Sequence, residues 1–200
     1  MYHELITEKS WQLLQELKRR HAFILIGGWA VFLYAKKLKS KDIDIIVSYE
    51  ELERLRAHHQ LQKNDRLKKY EIHAEGIDID IYVPFFSALG MPVEEVQQYT
   101  STVEGFTIPF KEVLLMLKQK AWHDRGHSIK GEKDKIDIIA LIQSGLDWSR
   151  YRALLNKFAL TGFLGELDKI LNASTQVPEL DLNSHQYARF KRGILSALKS

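Results

Sequence analysis

Two short stretches of this chain alternate isoleucine with aspartate: Asp42-Ile43-Asp44-Ile45-Ile46-Val47 and Ile77-Asp78-Ile79-Asp80-Ile81-Tyr82-Val83. Period-two alternation reads as β-strand, with each strand carrying two carboxylates on one face, roughly 6.5–7 Å apart along the backbone. Aspartate is disfavoured in strands, and like charges on one face repel, so something must offset them. Taken singly, each strand fits a half-buried antiparallel sheet with isoleucine inward and aspartate in solvent. Taken side by side, the two strands bring three or four carboxylates to one patch. Such a patch is unfavourable when empty and suits Mg²⁺, a hard cation that takes oxygen ligands and shares them with phosphates. Two such ions about 3.5–4 Å apart would clamp the attacking and leaving oxygens of a phosphoryl-type transfer. The repetition, with one copy shortly after a pair of glycines, favours the metal-binding reading.

The surrounding pattern places these strands in a mixed α/β front half. Leu5, Trp11, Leu13, Leu14 and Leu17 recur at helical spacing over residues 4–19. Phe23-Ile24-Leu25-Ile26 is a short buried-strand candidate that stops at Gly27-Gly28, and residues 29–37 read as a helix. Ser48 stands before Glu50-Glu51 and a helical run, which predicts an N-cap. Residues 67–74 and 77–84 predict a hairpin around Glu75-Gly76, and residues 102–109 one further strand. Beyond Phe110 only helical patterns follow, near 110–124, 132–144, 147–158, 161–172 and 184–199. The expected organisation is an α/β core over residues 1–109 and a helical C-terminal region over 110–200, separate or in one compact unit.

Gly27-Gly28 falls between a strand and a helix, where a backbone without side chains can turn tightly and present N–H groups to a phosphate. No Gly-Lys-Ser/Thr follows it and no third glycine stands at the dinucleotide-fingerprint offset, so neither familiar phosphate motif is present.

Strand, Gly-Gly, helix, Asp-x-Asp on the next strand and another Asp on a later strand together resemble the DNA polymerase beta-like nucleotidyltransferase superfamily, over about Phe23 to Pro84. The resemblance implies a mixed-sheet nucleotidyltransferase fold of α+β type, with Asp42, Asp44 and a third carboxylate holding two Mg²⁺ ions, or Mn²⁺ in their place. It also implies that Gly27 and Gly28 hold the triphosphate of an NTP, with Ser40 in the place where many members have Ser or Thr before the acidic pair. An arginine common upstream of that pair is replaced here by Lys36, Lys37 and Lys39. Alternation alone cannot choose between Asp78 and Asp80 as third ligand. Asp80 lies mid-strand, and in the resembling family the third carboxylate is likewise followed by a short apolar run and a proline, so Asp80 is the expected ligand and Asp78 the reserve.

Lys118, Ala121, Arg125, Lys133, Asp134 and Asp137 look like helices of small bacterial members of that superfamily, including toxin-like proteins of the abortive-infection type. Lys118 and Arg125 are seven apart, on one helical face, and are candidates for nucleotide contact; otherwise they face solvent or pair with Asp134 and Asp137. The histidines, among them His58, His59, His73, His123 and His127, match no zinc spacing. Trp122 and Tyr34 read as core, and Arg189-Phe190-Lys191-Arg192 as a solvated helix face.

Composition narrows the setting. The 200 residues include no cysteine, which removes disulfides and thiolate metal sites and fits a cytoplasmic protein. The first residues show no basic-then-apolar leader, and no run reaches the ~18 apolar residues of a membrane span. A net charge of +3 permits a nucleic-acid partner without identifying one. The expectation is an Mg²⁺-dependent enzyme that transfers an NMP from an NTP to an acceptor, with tRNA, a protein hydroxyl and a small molecule all open. The alternative is a non-catalytic nucleotide- or partner-binding protein on the same fold, such as a toxin–antitoxin component with a protein partner.

Overall fold

The computed structural model describes residues 2–126 and 128–199; His127 lies outside them. The chain forms two compact units, Met1–Phe110 and Lys111–Ser200.

The first unit begins with helix α1 (Tyr2–Arg20), strand β1 (Ile24–Ile26), helix α2 (Gly27–Ala35), strand β2 (Ile43–Ile46) and helix α3 (Tyr49–His58). Strands β3 (Gln62–Asn64), β4 (Lys69–Ala74) and β5 (Ile77–Tyr82) follow, then a one-turn helix α4 (Val93–Val96) and the hairpin β6 (Thr100–Val103) and β7 (Phe106–Pro109). Five strands make one sheet in the order β1-β2-β5-β4-β3. Only β2 and β5 run parallel; every other pairing in it is antiparallel. A parallel pair needs a crossover, and α3 with the β3–β4 hairpin supplies it.

The isoleucine–aspartate alternation sets the two faces of this sheet. Ile43, Ile45 and Ile81 are fully buried, and Ile77 and Ile79 nearly so. Burying each contributes roughly 1.5–3 kcal/mol. Two carboxylates level with each other on neighbouring strands, roughly 5 Å apart, repel by about 1 kcal/mol in water and about 3 kcal/mol at an effective dielectric of 20. Five buried isoleucines outweigh that, so the strands hold despite their aspartates.

Aromatic rings tie α1 and α2 to each other and to the β6–β7 hairpin. The fully buried Trp29 of α2 donates its indole N–H to Ser10 Oγ of α1 at 2.9 Å, and Trp11 lies 4.9 Å from Trp29 and 5.7 Å from Phe106 of β7 between ring centres. Tyr34, read from the sequence as core, is half-buried and donates its hydroxyl to the Pro109 carbonyl at 2.9 Å. Ser48 caps α3 by accepting the Glu51 N–H at 3.1 Å.

Two features differ from the sequence expectation. Residues 102–109 are not one strand but most of the β6–β7 hairpin, turning at Glu104 (φ 50°) and Gly105 (φ 74°). Two positive φ values in succession make the two-residue turn that matches strand twist, and Glu75 (φ 55°) and Gly76 (φ 79°) make the same turn between β4 and β5. The edge strand β3 was not expected, because Gln62-Lys63-Asn64 is polar on both faces.

The second unit is helical: α5 (Lys111–Arg125), α6 (Ile129–Gln143), α7 (Trp148–Lys157), α8 (Gly162–Asn172) and α9 (Ser184–Lys199). α6 starts earlier than the apolar periodicity suggests, because Ser128 caps it by accepting the Gly131 N–H at 3.1 Å. Asp147 caps α7 by accepting the Arg150 N–H at 2.9 Å. Leu114, Leu115, Ile138, Leu141, Tyr151 and Leu167 form its core. The fold is α+β, with a mixed five-stranded sheet.

Candidate functional site

β1 ends at Ile26, which is level with Asp44 of the antiparallel β2. The chain then turns directly into α2 through Gly27, whose φ of +67° is in the left-handed region that favours glycine. A Cβ on Gly27 would lie 2.0 Å from Asp44 Oδ2 and 2.5 Å from its Cγ. The missing side chain is therefore the space in which the Asp44 carboxylate sits. That space is at the amino end of α2, where unpaired backbone N–H groups and the helix dipole favour negative charge. Gly28 is the buried second residue of the helix.

Asp44 is level with Asp80 across the parallel β2–β5 pair, so the two carboxylates stand side by side on one face. Asp42 precedes β2 in a bend and is half-buried, and Ser40 is buried two residues earlier. Asp78 belongs to another pair. It is level with His73 of β4, bonded to His73 Nδ1 at 2.6 Å, and more than half exposed.

Asp80 has a cationic neighbour that the sequence reading did not single out. Lys69, the first residue of β4, donates from Nζ to Asp80 Oδ2 at 2.6 Å and lies 2.9 Å from Glu71 Oε1. Its side chain is only 11% exposed, against 19% for Asp80 and 20% for Glu71. Glu71 is level with Asp80 and also accepts from Asn64 Nδ2 at 3.2 Å. Burial by itself lowers the Lys69 pKa, but hydrogen bonds to Asp80 and Glu71 outweigh it and hold the ammonium above the ordinary lysine value. The hydrogen bond from Lys69, working against desolvation, keeps Glu71 below the usual glutamate range. Among the described residues, no three His, Asp or Glu side chains are gathered closely enough to hold a metal ion as they stand. The donors for a hard cation are present on one face, with Asp44 in its glycine-lined cradle, while Asp80 is engaged by Lys69.

In the second unit, Lys118 is buried between two buried aspartates, 3.2 Å from Asp134 Oδ1 and 2.7 Å from Asp137 Oδ2. Arg125 donates to the same Asp134 through Nε at 2.7 Å and a second guanidinium nitrogen at 3.1 Å. The helix corner between α5 and α6 is tight, since a Cβ on Gly131 would lie 2.3 Å from the Arg125 carbonyl oxygen. The structure thus joins Lys118 and Arg125 to Asp134 and Asp137, the pairing left open by their spacing.

A cavity of about 630 Å³ in the first unit lies away from the carboxylates, beyond the Ile46 end of β2, with His21, Ile24, Ile46 and Phe106 in its wall. His21 Nδ1 is bonded there to the buried Glu51 at 2.6 Å. No helix among the described residues is long and apolar enough to cross a membrane.

No protein-family model matches the chain, and no curated protein matches it. Among solved structures it is similar to an antigenic nucleotidyltransferase-like protein from Paracoccidioides brasiliensis, at 16% identity over 69% of this chain and 75% of that one, with a TM-score of 0.41. It is also similar to JHP933 from Helicobacter pylori, at 15% identity over 96% of this chain and 93% of that one, with a TM-score of 0.44.

Proposed function

We propose that this chain is a Mg²⁺-dependent nucleotidyltransferase that moves a nucleoside monophosphate from an NTP to an acceptor hydroxyl. The observation that carries the reading is the Asp44 carboxylate lodged against Gly27 at the start of α2, with Asp80 level beside it. Asp42 and Asp44 would hold a Mg²⁺ that binds triphosphate oxygens and offsets their charge. Backbone N–H groups at Gly27 and Gly28 would position the phosphates, and Ser40 is the further candidate for nucleotide contact. In the transfer, the acceptor oxygen bonds to the α-phosphorus while the bond from that phosphorus to the bridging oxygen breaks. Pyrophosphate leaves, and Asp80 takes the proton of the acceptor hydroxyl. Positioning and charge carry most of the rate in such reactions.

RNA and protein hydroxyls are the proposed acceptors, in the cytoplasm. The Lys118, Arg125, Asp134 and Asp137 helices support a place among small bacterial toxin-like members, which would come with an antitoxin partner. Lys118 is nine-tenths buried between two carboxylates, which favours a structural role for it; Arg125 keeps 43% of its side chain exposed for a phosphate. The Lys69–Asp80 pair favours one rival reading, a chain that binds Mg²⁺-NTP without transferring it. Incubation with each α-labelled NTP, Mg²⁺ and cell extract separates them. Label in RNA or protein that is absent with Asp44→Asn supports the enzyme. Mg²⁺-dependent NTP binding without transfer supports the binder, and no NTP binding at all refutes both.

A further inference from the structure

We infer that the cavity beyond the Ile46 end of β2 is a second binding site, for a small carboxylate that carries a hydroxyl beside its acid group and an apolar tail. The site lies away from Asp44 and Asp80, and its ligand is independent of any nucleotide transfer there.

His21 is the first of two recognition groups. Its side chain is 6% exposed and that of Glu51 5%, and Nδ1 lies 2.6 Å from Glu51 Oε1. A carboxylate only accepts, so Nδ1 carries the hydrogen. A Ser-x-x-Glu helix start can turn its glutamate back onto the cap. Ser48 does cap α3, but the Glu51 oxygens go to His21 and, at 3.3 Å, to Arg54. The carboxylate therefore fixes which edge of the imidazole faces the protein. With Nδ1–H given away, a neutral ring offers a lone pair at Nε2 and takes a hydroxyl or N–H. Nε2 has no hydrogen-bond partner among the described residues, and the ring stands in the wall of the cavity of about 630 Å³. The His59 ring, centred 6.5 Å away, makes no hydrogen bond to it. Buried polar nitrogens are ordinarily paired, and the cavity is where a partner for this one has room.

The second group is Lys18, three residues earlier and also in the cavity wall. The Leu17 carbonyl still accepts the His21 N–H at 2.8 Å, so the helical turn of α1 continues through His21. Side chains three apart on such a turn are neighbours, about 5–6 Å between Cβ atoms. Lys18 Nζ lies 4.2 Å from the centre of the Phe106 ring and donates to the Glu104 carbonyl at 3.1 Å. A Cβ on Gly105 would come within 2.6 Å of Nζ, so the glycine leaves the ammonium its place. No carboxylate is paired with Lys18 among the described residues. That of Glu104 goes to Lys36, and Glu94, exposed in the cavity wall, accepts the Phe85 N–H at 3.3 Å. An ammonium has three donors, and the Glu104 carbonyl takes one. Neighbouring groups that take a donor and an anion match a hydroxyl and a carboxylate on adjacent carbons. An ammonium in place of that hydroxyl would stand against Lys18 and be repelled. Ile24, Ile46 and Phe106 supply an apolar wall for the tail.

Calorimetric titration with each enantiomer of 3-phenyllactate tests this, against 3-phenylpropanoate, which lacks the hydroxyl, and 3-phenyllactamide, which lacks the charge. The wild type should bind one enantiomer at one site per chain, about tenfold or more tighter than either analogue. Lys18→Met should bring phenyllactate to within about threefold of its amide, and His21→Gln to within about threefold of phenylpropanoate. His21→Gln strips the buried Glu51 of a partner; if it does not fold, the three compounds on the wild type and Lys18→Met carry the test. Equal binding of the three compounds by the wild type, or no saturable binding of any at millimolar concentration, overturns the inference. So does a preference for phenyllactate over its amide that survives in folded Lys18→Met, since the anion is then held elsewhere.

Discussion

Replacing Gly27 by alanine isolates the contact on which the site is built. Two penalties are expected. The first is backbone strain: at φ +67° a non-glycine residue costs roughly 1–2 kcal/mol. The second is steric, because the new Cβ would lie 2.0 Å from Asp44 Oδ2, 2.5 Å from Cγ and 2.7 Å from Cβ. Either the carboxylate leaves its cradle or the helix start moves, and overpacking of this kind costs roughly 1–3 kcal/mol. The total is about 2–5 kcal/mol, or a fall in Tm of roughly 5–15 °C for a chain of this size. Gly76→Ala is the matched control. Its φ is +79°, but nothing lies within 4 Å of the added atom, so only the backbone penalty applies. Thermal denaturation by circular dichroism should show Gly27→Ala at least 1 kcal/mol worse than Gly76→Ala. The excess should shrink in an Asp44→Ala background, where the two closest atoms are gone. Equal losses for the two glycines, or an excess that survives Asp44→Ala, would refute the claim that the carboxylate occupies the space glycine leaves.

Asp44→Asn should abolish Mg²⁺-dependent triphosphate binding in calorimetric titration while leaving the Tm within a few degrees, since one of two repelling charges is removed. Asp80→Ala should lose transfer by orders of magnitude while retaining NTP binding, whereas Asp78→Ala, whose exposed carboxylate meets only His73 in the contacts described, should stay within about tenfold, or 1.4 kcal/mol of barrier; the opposite ranking in a transfer assay refutes the assignment. Burial pushes the Tyr187 phenol up to about 12 and Tyr151 higher still, so both stay protonated where an unfolded tyrosine ionises. The stability they contribute is complete below about pH 10 and falls as pH rises toward 12, so pH-dependent urea unfolding should show the loss and Tyr187→Phe should reduce it. Ser48→Ala should cost about 1 kcal/mol in the same assay by removing the α3 cap.

Much of this architecture is legible in the sequence because it rests on local rules. Alternation fixes which face of β2 and β5 is buried, the Ser48 cap begins α3, and Glu75-Gly76 turns the β4–β5 hairpin. That turn carries more than was read from it. Counting outward from a two-residue turn puts Glu71 opposite Asp80 and His73 opposite Asp78, and Lys69 two residues from Glu71 on the same face. The lysine beside the third carboxylate was therefore accessible in principle. The second Glu-Gly, at residues 104–105, is the same signal, and reading residues 102–109 as one strand overlooked it. Other features are not local. Nothing near Gly27 says that Asp44 will fill the space of its missing side chain, because the helix α2 and eight further residues separate them. The neighbouring of β2 and β5 depends on a crossover of α3 and two strands, and the polar edge strand β3 has no periodicity to find.

The two halves of the isoleucine–aspartate alternation cannot vary independently, and this is what makes the register of β2 and β5 consequential. A slip of one residue would turn Asp78 and Asp80 into the core and expose Ile77, Ile79 and Ile81, at a cost of several kcal/mol for each buried charge beyond the lost apolar burial. A slip of two would keep every face but bring Asp78 level with Asp44 in place of Asp80. Asp44 would then neighbour a carboxylate paired with His73, an imidazole that is cationic only when protonated and whose side chain is 55% exposed. In the register observed, it neighbours a carboxylate paired with a lysine that is nearly closed to water and held above its ordinary pKa. The choice between two chemically identical aspartates is thus a choice between a conditional cation and a permanent one. The buried isoleucines exclude only the slip of one; the choice itself is made by the observed pairing, which sets Asp80 level with both Asp44 and Glu71.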